Sequence, residues 1–212
     1  DWKATEINLY AAGGLMNITG EDDRPPLKEG APLAQLGAGQ NAFAATMGAL
    51  MYAEETGQGQ HIDMALLDVQ VATLANQAMN FLTSGTAPGR MGNAHPNIVP
   101  YQVFPSADGH LIVTVGNDGQ FRRFCQVLGC EEWADDPRFA TNSARVAYRD
   151  ALIPDISKLL AMRTTDNWLA ELETAGVPCG PINTLDKVFD DPQVRHRGMR
   201  LPLPHPKAGQ VD

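Results

Sequence analysis

The sequence predicts an α/β protein built in two parts, a helix-rich N-terminal part and a smaller α+β part after it. Three observations predict this. A small-residue helical run occupies about residues 39–54, a hairpin pattern lies between 101 and 115, and amphipathic helical runs follow it. Hydrophobic residues make up 43% of the 212, so a real core can form and disorder is not the default.

In order along the chain, Ile7, Leu9, Tyr10, Ala11 and Leu15 lie at mixed helical spacing within 5–18, giving a short helix that ends near Gly13-Gly14. Residues 20–26 are small, charged and proline-broken, and read as a loop. Residues 30–39 lead into the small-residue helix. There Ala42, Ala44, Ala45, Gly48 and Ala49 permit close backbone approach, to a helix or cofactor face or simply within a crowded core. His61–Ala65 reads as a short strand, and a helix starts at Leu66 and runs to about Leu82, with Asp68 placed to cap it or stabilise its start by charge. The composition break Ser84-Gly85-Thr86-Ala87-Pro88-Gly89 is the proposed boundary.

Past that break, Tyr101–Phe104 and His110–Val115 read as strands, joined by a turn of Asp-Gly character at Asp108-Gly109. Helices follow at about 118–128, with Phe121, Phe124, Cys125 and Leu128 on one face, and at 149–162, with Leu152, Ile156, Leu159 and Leu160 as a stripe. Another is expected at 164–175, capped by Thr164 or Thr165 with Trp168, Leu169 and Leu172 inward. Residues 182–184 are expected to be extended and 184–190 helical. The basic stretch 195–200 reads as a turn with solvated charges. Pro202, Pro204 and Pro206 resist both helix and central strand.

Charge and cysteine content restrict function. The formal net charge is −9, and no concentrated basic patch offsets it, which argues against nucleic acid. No apolar run is long enough to span a membrane, and the first residues lack a signal-peptide pattern. They also lack an initiator methionine, as in a chain cut from a longer one. Cys125, Cys130 and Cys179 are odd in number with no zinc-like spacing, so reduced thiols in the cytoplasm are expected. No histidine pair has metal-ligand spacing beside a carboxylate, so no metal site is expected. Cys179, in a Gly-Pro frame, reads as structural rather than nucleophilic.

The loop at 89–97 carries the most suggestive chemistry. Arg90, Gly92, Asn93 and His95 combine a cation, glycine backbone, an amide and an imidazole just ahead of a strand. Such a loop can place donors beside an anionic or carbonyl group; it can equally be a structural hinge. It lacks the lysine-serine ending of a phosphate loop.

Four ordered segments together resemble the family III CoA-transferases of the CaiB–BaiF type. They are Gly14–Gly20 with Arg24-Pro25-Pro26; Thr56–Ala65; Gly92-Asn93 and His95-Pro96 with Pro100–Phe104 and Asp108-Gly109; and Ala175–Pro181 with Asp191–Val194 and Arg197-Gly198. The resemblance implies part of a Rossmann-like large CoA domain at 1–83, a linker with the glycine loop at 84–95, a small α+β domain at 96–190 and a return linker at 191–212. It also implies an interlocked homodimer or a paired subunit, with acyl-CoA and a small carboxylate as partners. Coenzyme A or acyl-CoA is then a substrate, and no cofactor is permanently bound.

In that family an aspartate in an Ala-Asp-Leu run attacks the acyl-CoA thioester and relays the acyl group. The matching run here is Ala34-Gln35-Leu36-Gly37-Ala38-Gly39, which puts Gln35 at the catalytic position. An amide donates and accepts hydrogen bonds but cannot form the same anhydride. No Asp or Glu lies between Glu29 and Glu54 to replace it. The resemblance therefore leaves three readings open: CoA transfer with Gln35 as a positioning group, a noncatalytic or paired subunit, and a racemase or lyase relative.

Overall fold

The computed structural model describes residues 5–211. The chain divides into two compact units, one ending at Asn93 and the other beginning at Ala94.

The first unit is helical: α1 (Glu6–Ala12), α2 (Leu15–Ile18), α3 (Leu33–Thr56), α4 (Leu66–Ala72) and α5 (Ala75–Ser84). Gly13 and Gly14 separate the first two, as their spacing predicts. The small-residue helix begins at Leu33 rather than near 39, so Gln35 lies inside its first turn. The reason is a tertiary cap. A helix starting at Leu33 leaves its first N–H groups without internal partners. Tyr10 Oη takes the Leu33 N–H at 2.6 Å and Glu6 Oε1 takes that of Ala34 at 3.0 Å. Local sequence carries no sign of either.

At 24 residues, α3 is about 36 Å long. Among the described residues its two buried positions, Ala34 and Ala38, lie near its N-terminal end, with Ala34 in a cluster with Leu9 and Tyr10. None of Ala42, Ala44, Ala45, Gly48 or Ala49 is buried, and Phe43 is 69% exposed. The helix predicted from Leu66 is two helices, broken at Thr73-Leu74 with Ala75 at φ 44°. Thr73 Oγ1 turns back onto Gln70 O at 2.6 Å, a competing local bond. Asp68 sits in the first turn of α4 as a charge; the cap position is Ala65, which makes no side-chain bond. His61–Ala65 is not a strand, since no neighbouring strand among the described residues pairs with it.

The second unit holds a three-stranded antiparallel sheet, with β1 (Tyr101–Ser106), β2 (Gly109–Thr114) and later β3 (Cys179–Pro181) in the order β1-β2-β3. Pro105 and Pro181 lie on its two edge strands, where a missing N–H is tolerated. The extended piece predicted at 182–184 falls three residues earlier, because Cys179, Gly180 and Pro181 are the residues that pair with β2. Between the strands come α6 (Asp118–Leu128), a 3-10 turn at Glu131–Ala134, α7 (Asn142–Ala147), α8 (Arg149–Leu160) and α9 (Thr165–Thr174). In α6, α8 and α9 the buried residues Phe121, Phe124, Cys125 and Leu128, Leu152, Ile156 and Leu160, and Trp168 and Leu172 are among those the spacing selects, while Leu159 and Leu169 of the expected stripes are only half-buried. They pack onto Phe104, Leu111, Val113 and Val115. Then follow α10 (Leu185–Asp190), α11 (Pro192–His196), β4 (Leu203–His205) and β5 (Gly209–Val211). Arg195 and His196 belong to α11 instead of a turn, because Asp191 Oδ1 caps that helix through Gln193 and Val194 N–H. The β4–β5 ribbon consists only of edges, so Pro204 fits within it.

The cap of α9 also comes from elsewhere. Thr164 occupies the cap position without a side-chain bond. Asp108, in the hairpin turn, accepts from Thr165 N–H at 2.8 Å, from Thr165 Oγ1 at 3.0 Å and from Ser106 Oγ at 2.9 Å. These bonds, with that from Thr165 N–H foremost, hold the Asp108 carboxyl below the usual carboxylate range. Its stabilising effect is thus complete above an ordinary aspartate pKa, near ~4, and is lost as pH falls through the lower folded value. Asp108→Ala is expected to lower the thermal midpoint at pH 7, with the two melting curves converging in acid. A gap that stays constant down to low pH would refute the assignment.

Candidate functional site

Gln35 is the third residue of α3 and its side chain is exposed. What fixes it is the pair Glu6 and Tyr10, one turn apart on α1. Tyr10 is fully buried, with its hydroxyl 2.5 Å from Glu6 Oε1 and 2.9 Å from Ala31 O. Burial first, and then the bond to Glu6, push its phenol above the ordinary value, so it stays a neutral donor. Glu6 Oε1 is engaged at the helix start, while Oε2 is buried and makes no hydrogen bond among the described residues. A carboxylate thus stands at the same helix start as Gln35, which offers one amide donor group and one acceptor.

The glycine loop packs against residues 20–24 in the same unit. Arg90 donates from Nε to Glu21 O at 3.0 Å, and from Nη2 to Arg24 O at 3.0 Å and Asp22 O at 3.3 Å. The guanidinium therefore clasps the facing loop with two of its three nitrogens. Gly92 N–H donates to Gly20 O at 2.9 Å. A cleft of about 460 Å³ lies here, lined by Gly92 and Asn93 with Thr19, Glu21, Leu27 and Glu29 among others. Two carboxylates in that lining oppose a bare anion and suit hydrogen-bond donors or an uncharged group. Gln35 is outside the lining.

Gly92 has φ 56°, and a Cβ there would lie 2.5 Å from Glu21 Oε1 and 2.8 Å from Glu21 Cδ. Gly92→Ala is expected to cost about 1–3 kcal/mol through left-handed strain and displacement of Glu21. Urea titration measures it; a loss below ~0.5 kcal/mol, the usual scatter of surface changes, would contradict the close packing.

His95 belongs to the second unit. Its ring lies 5.2 Å from that of Tyr101, and Nδ1 accepts from Asn97 N–H at 3.1 Å, which leaves the proton of the neutral ring on Nε2. The segment leading into β1 is held by residues of α7 and α8. Arg149 Nη2 donates to His95 O at 3.0 Å and Pro96 O at 2.9 Å, Asn142 Nδ2 to Asn97 O at 2.8 Å, and Arg145 Nε to Val99 O at 2.7 Å. Cys179 is half-buried, and burial, with Glu173 nearby, pushes its thiol up, which disfavours the nucleophilic thiolate.

The structure thus puts Gly92 and Asn93 in the lining of one cleft, turns Arg90 onto the backbone of residues 21–24 and not into that lining, sets Gln35 on the first turn of α3, and holds His95 by the strand entry in the second unit. Glu6, Tyr10, Glu21, Asn142 and Arg149 are the supporting residues that sequence patterns miss. Glu6 and Tyr10 carry one usable signal, their i,i+4 spacing on a short helix. Thr141 carries another: its hydroxyl accepts from Ala144 N–H and starts α7.

Comparison with known proteins identifies the family. The family profile described as CoA-transferase family III matches residues 1–212. Succinate--glutarate CoA-transferase of Agrobacterium fabrum is 50% identical over 203 residues, 96% of this chain and 51% of that protein. Succinyl-CoA:glutarate CoA-transferase of Mus musculus is 40% identical over 201 residues, 95% of this chain and 46% of that one. A crystal structure of a CaiB/BaiF family protein from Brucella suis superposes with a TM-score of 0.78 at 46% identity, covering 98% of this chain and 58% of that chain. The chain spans about half the length of the relatives it matches. By the match along its whole length, the chain belongs to CoA-transferase family III.

Proposed function

We propose that the complete protein exchanges CoA between an acyl-CoA and a small carboxylic acid. The observation that carries this reading is the whole-length family match, joined to 50% identity with a succinate--glutarate CoA-transferase. Short dicarboxylic acids are accordingly the first acceptors to try. Coenzyme A enters as substrate, with no permanently bound cofactor, and the working form is a cytoplasmic homodimer or paired assembly. The uncovered circumference of α3, with Phe43, Met47 and Met51 exposed, supports such an assembly, because a helix apolar on all sides needs cover.

In this reading Gln35 holds the thioester carbonyl or a water through its amide, and Glu6 with Tyr10 fixes the turn that carries it. Arg90 keeps the Gly92-Asn93 loop closed on residues 20–24, and Asn93 lines the cleft there. Calorimetric titration of CoA into the full-length protein tests the binding part. Saturable binding is expected; its absence from a folded protein would count against the proposal.

The resemblance suggests a second reading, since it sets Gln35, an amide, where the family has an aspartate. A noncatalytic subunit, or one paired with a chain that supplies the carboxylate, then follows. Co-purification of such a chain supports pairing, whereas an inert homodimer supports the noncatalytic form. Wash-in of deuterium at the acyl α carbon would instead indicate racemase or lyase chemistry.

A further inference from the structure

Helix α6 ends in a paired turn. Gly129 adopts φ 73°, its N–H donates to Gln126 O at 3.2 Å, and Cys130 N–H reaches back to Cys125 O at 3.0 Å. These are the two bonds of a Schellman motif, whose geometry brings the side chains of the residues at its two ends into contact. That contact is ordinarily apolar. Here both residues are cysteines. Cys130 Sγ donates to Cys125 O at 3.7 Å, which folds its side chain back over the turn toward Cys125. Cys125 is fully buried and Cys130 is 5% exposed, within the cluster of Phe121, Phe124, Leu128 and Ala134. Among the described residues no third metal-ligating side chain joins the pair.

We propose that Cys125 and Cys130 are a modification site, closing into a reversible intramolecular disulfide when the protein meets a low-molecular-weight disulfide oxidant. Cys130, the sulfur nearer to solvent, loses its proton and attacks one sulfur of the oxidant, forming a mixed disulfide and releasing one thiolate. Cys125 then loses its proton and attacks Cys130 Sγ, expelling the second. Two protein thiols are oxidised, one oxidant disulfide is reduced to two small thiols, and the two protons end on those thiols. The second step is intramolecular between neighbouring groups, which favours it strongly over attack by another molecule.

Entry to this chemistry is slow in the native fold. The neighbouring Cys130 thiol and burial both push the Cys125 thiol up, so the first attack waits on opening of the turn at Glu131–Ala134. Once formed, the bond staples the end of α6 to the segment after it. Helix α6 also carries Arg123, which donates to Ala175 O at 2.7 Å ahead of β3. Oxidation thus rigidifies the part of the second unit through which β3 is anchored.

The test uses the full chain, oxidised with glutathione disulfide, then denatured and alkylated with N-ethylmaleimide before peptide mass mapping. The expected result is a Cys125–Cys130 cross-link with Cys179 alone alkylated, reverting to three alkylated cysteines after dithiothreitol. The thermal midpoint should rise by about 5 °C on oxidation, in the wild type and in Cys179→Ser alike, and not in Cys130→Ala. Three alkylated cysteines after prolonged oxidation, a cross-link through Cys179, or a mixed disulfide at Cys130 that never resolves would each overturn the proposal. Should Cys130→Ala fail to fold, the Cys179→Ser variant decides the matter by mass alone.

Discussion

Gln35→Asp in the full-length protein is expected to raise CoA exchange by on the order of 10³-fold, the scale on which a single positioned acid, base or nucleophile acts. The first turn of α3 is built to receive that change. Its N–H groups at Leu33 and Ala34 are already held by Tyr10 and Glu6, and the position is exposed to an incoming substrate. A carboxylate near a helix N-terminus is also favoured by the helix dipole. The gain should come with an acyl adduct on the introduced carboxylate, visible by mass spectrometry after quenching. Equal rates for the two proteins, with no adduct, would mean that the carboxylate needed for exchange lies elsewhere. Gln35→Ala separates the readings further: a positioning role predicts a clear loss of activity, and a spectator predicts none.

The largest effect on stability is expected at Arg145. Its guanidinium is fully buried, donates from Nη1 to Phe139 O at 2.8 Å and from Nε to Val99 O at 2.7 Å, and lies 4.3 Å over the Phe121 ring. Asp118 accepts from Nη2 at 2.9 Å through a side chain that is 53% exposed, so solvent partly screens that ion pair. Burial draws the guanidinium below its ordinary value, and Asp118 offsets part of the shift. The decisive groups are the two backbone carbonyls. Arg145→Met keeps much of the volume and removes both donors, each unmet acceptor costing about 1–3 kcal/mol. A loss of about 3 kcal/mol is expected, read as a fall of roughly 10–20 °C in the midpoint of the second unit. Lysine should not rescue it, because a point ammonium cannot span three acceptors. A loss under 1 kcal/mol by chemical denaturation would show that water reaches those carbonyls.

Much of the second unit was readable in advance because its information is local. The stripe of Phe121, Phe124, Cys125 and Leu128 has helical period, and the Asp108-Gly109 turn sits between alternating strands. Local patterns failed where the partner is distant in sequence. The start of α3 is set by Glu6 and Tyr10, the cap of α9 by Asp108, and the entry to β1 by Asn142, Arg145 and Arg149. The run His61–Ala65 shows the same limit from the other side: its composition suits a strand, but a strand forms only beside another. Of the candidate site, the glycine loop of Gly92 and Asn93 shows in the sequence as a run of small and polar residues, and Gln35 is singled out by motif resemblance alone. Glu21 over Gly92 and the clasp made by Arg90 are consequences of packing between loops about seventy residues apart, which no local pattern encodes.

The most direct test follows the acyl acceptor. Full-length protein is incubated with unlabelled succinyl-CoA and carbon-13 glutarate, and the CoA esters are resolved by mass spectrometry. Labelled glutaryl-CoA appearing in step with free succinate is the result expected of CoA exchange. Free CoA and succinate accumulating with no labelled thioester, from protein shown to bind CoA, would contradict it.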